Sequence, residues 1–377
     1  MKKTVILLLI VSQLFIFTVS LATEDIQLNA KSAIVFDRTY KKVLYSKNIN
    51  EKLPNASTTK MLTAIVAYEN AKMDEMVVVS KKAANTGGSR LGLRTGDEIL
   101  LGDLMKGLLI CSGNDAAVAI AEYVGETEEM FCQMMNEKAK EIGAMNTNFV
   151  TPHGLDRDNH YSTAYDLALI ADYALEIPYI ANIVSKKNET VKINGNYKNL
   201  NTTNEMLASY NGANGVKTGY TGNAGRCLVT SATRNDWQLI CVVLGCDTKR
   251  FRTNDSIKLL DYCFENYEFY NITSIVKSNY QIFVEKSENE VYTVNFNEEY
   301  ILPMKKEEID KLTVKYDINN HFMAPLESGE KLGNISIYCE NSLIKTFEIL
   351  NQTTIERKTM LDYIKSLTSN ICKYLKM

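Results

Sequence analysis

Residues 53–64 read LPNASTTKMLTA, a loop that runs into an apolar segment with helical spacing. Ser57 and Lys60 are three positions apart, so on a helix their side chains share one face. Polar residues at a helix start are typical of a cap, with Asn55 or Ser57 as the capping residue. A serine beside a buried lysine is also the arrangement of a nucleophile with its base. The stretch alone does not decide between the two.

The composition is that of a globular protein long enough to bury a full core. The 377 residues are 45% hydrophobic and 23% charged, with no low-complexity tract and no internal repeat. Residues 1–22 begin with two lysines, continue as an almost wholly apolar run and end in small residues. This pattern predicts a secretory signal peptide, with an uncleaved membrane anchor as the alternative.

Charge, cysteines and histidines exclude several classes of function. Without the two lysines of residues 1–22 the net charge is −5, and a mildly acidic chain without a basic stripe predicts no nucleic-acid partner. The eight cysteines form no CxxC pair, and we expect buried free thiols. The three histidines lack metal-ligand spacing, so neither a metal nor a cofactor is expected.

The order of elements predicts an α+β domain followed by a small all-β domain. Strand-like runs at residues 32–37 and 42–46, and again at 215–245, flank a mainly helical middle, which predicts an antiparallel sheet with helices packed on it. From about residue 272 the pattern changes to short strands separated by charged turns. We therefore assign residues 23–271 to a catalytic domain and residues 272–352 to an all-β domain.

The tail, residues 353–377, returns to helical spacing. Its apolar residues form one stripe and its charged residues sum to +3. A basic amphipathic helix is typical of attachment to a membrane surface. A helix that packs on its own domain is the alternative.

Ser-x-x-Lys occurs four times in the chain, but only Ser57 and Lys60 lie at a predicted helix start. The other three occurrences fall in or beside the predicted β-domain, where a spacing of three does not bring side chains together. At a helix start the positive end of the helix dipole stabilises a developing alkoxide. Burial lowers the pKa of a lysine, so that it can act as a base.

Two further motifs follow in order along the chain. Ser112-Gly113-Asn114 interrupts two apolar helices, and Lys217-Thr218-Gly219 lies on a predicted strand. Ser-x-x-Lys, a Ser-x-Asn element and Lys-Thr-Gly form the acyl-transfer set of β-lactamases and penicillin-binding proteins. The ordered set in an exported chain favours nucleophilic catalysis by Ser57.

With these motifs the chain resembles the low-molecular-mass penicillin-binding proteins that are serine-type D-alanyl-D-alanine carboxypeptidases. The resemblance covers nearly the whole mature chain and includes STTKMLTA, GLLICSGNDAAVAIAE, NTNFVTPHGLD, HYSTAYDLA, GVKTGYTGNAGRCLVTSATR and APLESGEKLGNISIY. It implies a penicillin-binding/β-lactamase-like fold, an antiparallel sheet with a helical subdomain, followed by the all-β domain and an amphipathic anchor.

The resemblance also implies the substrate and the location. The substrate is a peptidoglycan stem peptide ending in D-Ala-D-Ala, and β-lactam antibiotics are covalent inhibitors. The enzyme would act at the outer face of the bacterial cytoplasmic membrane, where removal of the terminal D-Ala limits cross-linking of the cell wall.

The expected roles combine chemistry with this resemblance. Ser57 forms the acyl-enzyme, Lys60 is the leading candidate for the base, and Ser112 relays the proton to the leaving amine. Asn114 holds the substrate amide.

The strand motif is expected to bind the end of the substrate. Lys217 and Thr218, with Gly219, bind the terminal carboxylate, while the backbone N–H groups of Ser57 and Tyr220 form the oxyanion hole. The resemblance adds Arg252 for the carboxylate, with Arg250 as a nearby competitor. Thr58 and Thr59 receive no role.

Three alternative functions have less support in the sequence. A class A-like β-lactamase needs a Glu-x-x-Leu-Asn-type loop between Asn114 and Lys217, and none occurs there. A catalytically silent penicillin-sensing or wall-binding module would be expected to have lost a reactive residue, and all are intact. A Ser-His-Asp hydrolase that uses His153 or His160 lacks the G-x-S-x-G elbow.

Overall fold

The computed structural model describes residues 26–374, so the predicted signal peptide, residues 1–22, lies outside the described residues. The chain divides into two compact units between Glu265 and Asn266.

A five-stranded antiparallel sheet is the centre of the first unit. Its strands are β1 (Ser32–Asp37), β2 (Lys42–Lys47), β7 (Ala213–Thr221), β8 (Gly225–Arg234) and β9 (Trp237–Cys246). They lie in the order β2-β1-β9-β8-β7, so strands from both ends of the unit share one sheet. The predicted α+β arrangement of sheet and helices is confirmed, and β7 forms one edge of the sheet.

The first unit is also rich in helices. They are α1 (Lys60–Asn70), α2 (Lys81–Ala84), α3 (Leu101–Leu109), α4 (Asn114–Gly125), α5 (Glu128–Ile142), α6 (Ala164–Glu176), α7 (Pro178–Val184), α8 (Met206–Ser209) and α9 (Lys249–Asn266). Helix α1 is buried on every face from Lys60 to Ala67 and contacts α3, α4, α5 and α6. A 3-10 turn, Ala56–Thr59, leads into it.

A second, four-stranded sheet was not predicted. It has the order β3-β4-β5-β6 and consists of β3 (Met76–Val78), β4 (Glu98–Leu100), β5 (Asn188–Ile193) and β6 (Asn196–Asn201). The hairpin β5–β6 reads NETVKINGNYKNLN, and most of its residues are exposed. Because an exposed strand carries little apolar alternation, its sequence resembles a loop.

Asp115 fastens the start of α4 to the loop before α3. Its fully buried carboxylate accepts hydrogen bonds from three consecutive backbone N–H groups, those of residues 91–93, at 2.7–3.0 Å, and from the N–H of Ala116 at 3.0 Å. The Arg90 guanidinium lies 3.8 Å away. These donors compensate the buried charge. They also fix the position of Asn114, the residue before it.

The second unit is rich in strands. They are β10 (Glu268–Asn271), β11 (Asn279–Glu285), β12 (Val291–Asn295), β13 (Ile301–Met304), β14 (Leu312–Ile318), β15 (His321–Met323), β16 (Lys331–Cys339) and β17 (Ser342–Leu350), with the short helix α10 (Lys306–Ile309) and the 3-10 turn Ile272–Ile275. They form three small sheets, β10-β13, β12-β11-β15 and β14-β16-β17. The second and third of these sheets enclose a core that includes Ile282, Val284, Leu326 and Ile335.

The final helix, α11 (Met360–Tyr374), begins later than the predicted tail. Residues 353–359 belong to the β-rich unit, because Ile355 is buried in its core and pairs with Leu326. The apolar stripe of α11 is uncovered: Leu361 is 68% exposed and Leu367 is 62% exposed. Between residues 26 and 374, no single helix is both long and apolar enough to cross a membrane. Helices α6 and α7, which meet at an angle of 107°, reach the required length and hydropathy only when they are taken together.

We expect Asp115→Asn to lower the free energy of unfolding of the first unit by about 2–3 kcal/mol. The amide keeps one acceptor oxygen and places an NH₂ group against backbone donors, so buried N–H groups lose their partner. Urea denaturation followed by the fluorescence of Trp237, the one tryptophan in the chain, reports this unit because β9 carries it. Asp158→Asn, at an exposed carboxylate, is the control. Equal urea midpoints for the two variants would contradict the anchoring role of Asp115.

Candidate active site

Ser57 lies in the 3-10 turn that precedes α1. Its neighbour Lys60 is the first residue of α1, so the two side chains meet as the spacing predicts. Neither Asn55 nor Ser57 caps the helix through its side chain, contrary to the expectation for a capped start.

The amine of Lys60 is completely buried and touches three oxygen atoms. Its Nζ lies 2.7 Å from Ser57 Oγ, 2.6 Å from Asn114 Oδ1 and 2.8 Å from the His153 carbonyl oxygen. A neutral amine has two hydrogens and one lone pair. The hydrogens fit the two carbonyl-type acceptors, and the lone pair can then accept the hydroxyl proton of Ser57.

Electrostatics favour this neutral form. Burial holds the pKa of Lys60 well below its usual value, and the positive charge of Lys217 lowers it further. A buried lysine that is neutral at physiological pH can act as a base.

The Ser-Gly-Asn element lies at the junction of α3 and α4. Asn114 is the first residue of α4, and its Nδ2 donates to the carbonyl of Gly87 at 2.7 Å, which turns Oδ1 toward Lys60. Ser112 is buried, with a left-handed backbone (φ 61°). Within residues 26–374 its hydroxyl makes no hydrogen bond to Ser57 or Lys60. Ser112 therefore lies two residues before Asn114 but is not part of the hydrogen-bonded group around Lys60.

The Lys-Thr-Gly strand, β7, packs directly against the turn that carries Ser57. A Cβ on Gly219 would lie 3.1 Å from the backbone nitrogen of Ser57 and 3.0 Å from the carbonyl oxygen of Asn55, so any larger residue would crowd the turn. Lys217 is 1% exposed and donates to the carbonyl of Thr218 at 3.0 Å. Burial, aided by the charge of Arg252, lowers the pKa of Lys217 to about 7.

Two predicted binding residues have partners that the sequence did not indicate. Arg252, on α9, is 3% exposed, and its Nη2 donates to both carboxylate oxygens of Glu205, at 2.7 and 2.9 Å. Tyr220 is 55% exposed, and the Arg226 guanidinium lies 3.6 Å from the centre of its ring. Arg250, the competitor for the carboxylate, is exposed on α9.

Sequence reasoning missed three contributors to this region. His153 accepts from Lys60 through its backbone carbonyl, Thr203 shares a 2.6 Å hydrogen bond with the hydroxyl of Thr218, and Glu205 holds Arg252. Thr203 and Glu205 follow β6, so recognition of the polar hairpin β5–β6 could have drawn attention to them.

The side chains of His153 and His160 are buried and neutral. Burial lowers the pKa of His153 to about 3 and lowers the pKa of His160 to about 4. In the part of the chain that the structure describes, no three His, Cys, Asp or Glu side chains are placed to hold a metal ion.

Comparison with known proteins gives two matching family models. The model described as D-alanyl-D-alanine carboxypeptidase matches residues 18–248, and the model described as penicillin-binding protein 5, C-terminal domain, matches residues 264–357.

Curated relatives match along almost the whole chain. D-alanyl-D-alanine carboxypeptidase DacF of Bacillus subtilis (strain 168) is 33% identical, over 93% of this chain and 92% of its own. D-alanyl-D-alanine carboxypeptidase DacC of Escherichia coli (strain K12) is 34% identical, over 90% of this chain and 88% of its own.

Solved structures are similar as well. Penicillin-binding protein 5 from Haemophilus influenzae superposes with a TM-score of 0.72 at 27% identity, covering 89% of this chain and 100% of that one. The D-alanyl-D-alanine carboxypeptidase DacD from Francisella tularensis gives a TM-score of 0.73 at 27% identity, covering 89% and 95%.

We expect acid to destabilise the first unit through its two buried histidines. Below about pH 6.5 an unfolded histidine takes up a proton, whereas the folded His160 remains neutral until about pH 4. The free energy of unfolding therefore falls as pH drops through this window.

In His160→Gln this fall should be shallower than in the wild type by about 1 kcal/mol per pH unit. Urea denaturation between pH 7 and pH 4.5, followed by Trp237 fluorescence, measures the difference. Parallel pH profiles for the two proteins would show that His160 is not held neutral.

Proposed function

Because this chain belongs to the D-alanyl-D-alanine carboxypeptidase family, we propose that Ser57 is the nucleophile with which it removes the terminal D-Ala from peptidoglycan stem pentapeptides. The observation that carries the proposal is the 2.7 Å contact between Lys60 Nζ and Ser57 Oγ at a helix start. A buried, neutral lysine beside a serine is a base in position to accept its proton.

Acylation proceeds by attack of Ser57 Oγ on the carbonyl carbon of the penultimate D-Ala. The hydroxyl proton passes to Lys60 Nζ as the Oγ–C bond forms, and the negative charge develops on the carbonyl oxygen. The backbone N–H groups of Ser57 and Tyr220 are the donors for this oxyanion. When the C–N bond breaks, Ser112 relays the proton to the amine of the departing D-Ala.

Deacylation uses water in the place of the amine. Water attacks the ester carbonyl and gives up a proton to Lys60, and the C–Oγ bond breaks as Ser57 regains its proton. The products are the shortened peptide and an enzyme in its starting state.

The terminal carboxylate is assigned to the strand motif. Lys217 and Thr218 bind it directly, and Gly219 brings the strand close to the nucleophile. Arg252, whose Nη2 is bound by Glu205, contributes positive charge near Lys217. Asn114 retains one Nδ2 hydrogen beyond its bond to Gly87, and this hydrogen can donate to a substrate carbonyl.

We assign the chain to the exterior of the cytoplasmic membrane. Residues 1–22 would direct export, residues 23–271 carry the catalytic domain and residues 272–352 the all-β domain. Within the predicted tail, residues 353–377, the helix α11 would attach the enzyme to the membrane surface through its exposed stripe. β-Lactam antibiotics would acylate Ser57, and hydrolysis of stem peptides would limit wall cross-linking.

Substitution of the reacting pair tests the mechanism. In Ser57→Ala and Lys60→Met we expect D-Ala release from diacetyl-Lys-D-Ala-D-Ala, and covalent labelling by a fluorescent penicillin, to fall at least about a thousandfold. Ser328→Ala, at an exposed Ser-x-x-Lys in the second unit, is the matched control and should keep both activities. Undiminished release and labelling in Ser57→Ala would disprove the mechanism. A wild type that is labelled but releases no D-Ala would instead be a penicillin-sensing module.

Truncation after Thr359 tests the membrane attachment. This cut removes α11 and keeps Ile355, which the core of the second unit requires. In proteins without residues 1–22, we expect the truncated form to lose flotation with anionic vesicles. Lys365→Glu in the intact protein should weaken binding several-fold, since each basic residue near an anionic surface contributes about 1 kcal/mol. Equal flotation of the truncated and intact forms would rule out attachment through α11.

A further inference from the structure

The residue before the nucleophile has an unusual backbone conformation. Ala56 has a φ of +48°, in the left-handed region that residues with a Cβ seldom occupy. Such a conformation costs on the order of 1–3 kcal/mol and persists only where surrounding contacts impose it. Ala56 is 1% exposed, so those contacts come from the protein interior.

Thr59 supplies one of them through its hydroxyl group. Its Oγ1 donates to the carbonyl of Ala56 at 2.8 Å. Since a hydroxyl has one hydrogen, Oγ1 can only accept in its two other contacts. These are with Asn55 Nδ2 at 3.0 Å and with His160 Nε2 at 2.9 Å.

The tautomer of His160 follows from its other nitrogen. Nδ1 accepts from the backbone N–H of Val150 at 3.2 Å, so the proton of the neutral ring lies on Nε2 and points at Thr59. His160 is 5% exposed, and its ring packs edge-on against Phe149. The hydrogen bonds therefore run in one direction, from Val150 through His160 and Thr59 to Ala56.

Asn55 shows that this direction is maintained at a cost. Its Oδ1 is buried without a hydrogen-bond partner, whereas its Nδ2 serves both Thr58 and Thr59. An unsatisfied buried acceptor costs about 1–3 kcal/mol. The amide keeps this orientation because both threonine hydroxyls donate to backbone carbonyls, those of Asn55 and Ala56, and need donors in return.

The carbonyl of Ala56 is also confined from the opposite side. Gly154 has a φ of +83°, and a Cβ there would overlap the Ala56 oxygen. The carbonyl consequently lies between the backbone of Gly154 and the hydroxyl of Thr59, with little freedom to turn.

The peptide plane connects this carbonyl to the reaction. The C=O of Ala56 and the N–H of Ser57 belong to one planar trans peptide and point in opposite directions. Whatever orients the carbonyl therefore orients the N–H, which is the oxyanion donor of the proposed mechanism.

We propose that His160, acting through Thr59 and the carbonyl of Ala56, is a positioning residue that aims the Ser57 N–H at the developing oxyanion. The proposal rests on the proposed function, because it assigns a role to groups around the same nucleophile. His160 touches no substrate atom and takes up no proton in the reaction. Its neutral Nε2–H form sets the direction of a peptide group one residue from the bond that forms.

Two pairs of variants of the complete protein test the proposal. Thr59→Val and His160→Leu remove the hydrogen bonds, whereas Thr59→Ser keeps the hydroxyl and His160→Gln can accept from Val150 and donate to Thr59. Active sites are first counted by stoichiometric fluorescent-penicillin labelling, carried to completion. The kcat and KM for D-Ala release are then expressed per labelled site.

We expect kcat per labelled site to fall about 10–100-fold in Thr59→Val and His160→Leu, with KM changed less than about threefold. Thr59→Ser and His160→Gln should recover to within about fivefold of the wild type. Affinity for a peptidyl boronate, whose tetrahedral adduct with serine places an oxygen at the oxyanion position, should fall in parallel with kcat.

A purely structural role gives a different result. If Thr59→Val or His160→Leu lowers only the number of labelled sites, with kcat and boronate affinity per site unchanged, the positioning role is disproved. If His160→Leu does not fold, Thr59→Val alone decides, because valine has the shape of threonine. Failure of the proposed function is distinguishable, since it would appear as a wild type without Ser57-dependent release of D-Ala.

Discussion

The burial of the Lys60 amine is the constraint on which the site depends. Burial holds the pKa of this amine well below its usual value, and a polar group in the interior needs oxygen partners in fixed places. Each partner comes from a different part of the fold: Ser57 from the turn, Asn114 from α4 and the carbonyl of His153 from the loop before α6. The turn, α4 and the loop before α6 therefore meet at the amine of Lys60.

The supporting contacts extend this constraint outward. Asp115 fixes the beginning of α4 through four backbone donors, and this sets the amide of Asn114. On the opposite side, Gly154 and Thr59 confine the backbone before Ser57. Asp115, Gly154 and Thr59 have no part in the proposed reaction, yet they limit where the atoms of Ser57 and Asn114 can lie. The surroundings of Ser57 are held by hydrogen bonds between side chains and backbone groups.

Much of the fold could be predicted because its signals lie in side-chain patterns. The five-stranded sheet follows from apolar alternation, and Ser57, Lys60 and Asn114 follow from ordered motifs whose chemistry requires those residue types. The contribution of His153 could not be predicted, because it is made by a backbone carbonyl, which every residue type has. The hairpin β5–β6 was missed because it is polar, and with it Thr203 and Glu205. Helical spacing alone also could not show that Ile355 belongs to the β-rich core before α11 begins.

The packing of the turn Ala56–Thr59 on β7 also bears on how the sheet meets other chains. Strand β7 is an edge of the five-stranded sheet, with β8 on one side only. The turn Ala56–Thr59 and helices α7 and α8 cover this strand, and Gly219 permits the close fit. Uncovered edges are templates for pairing with another chain. The turn that carries Ser57 therefore packs against an edge strand, so a change that loosens the turn would also leave more of this strand open to pairing with another chain.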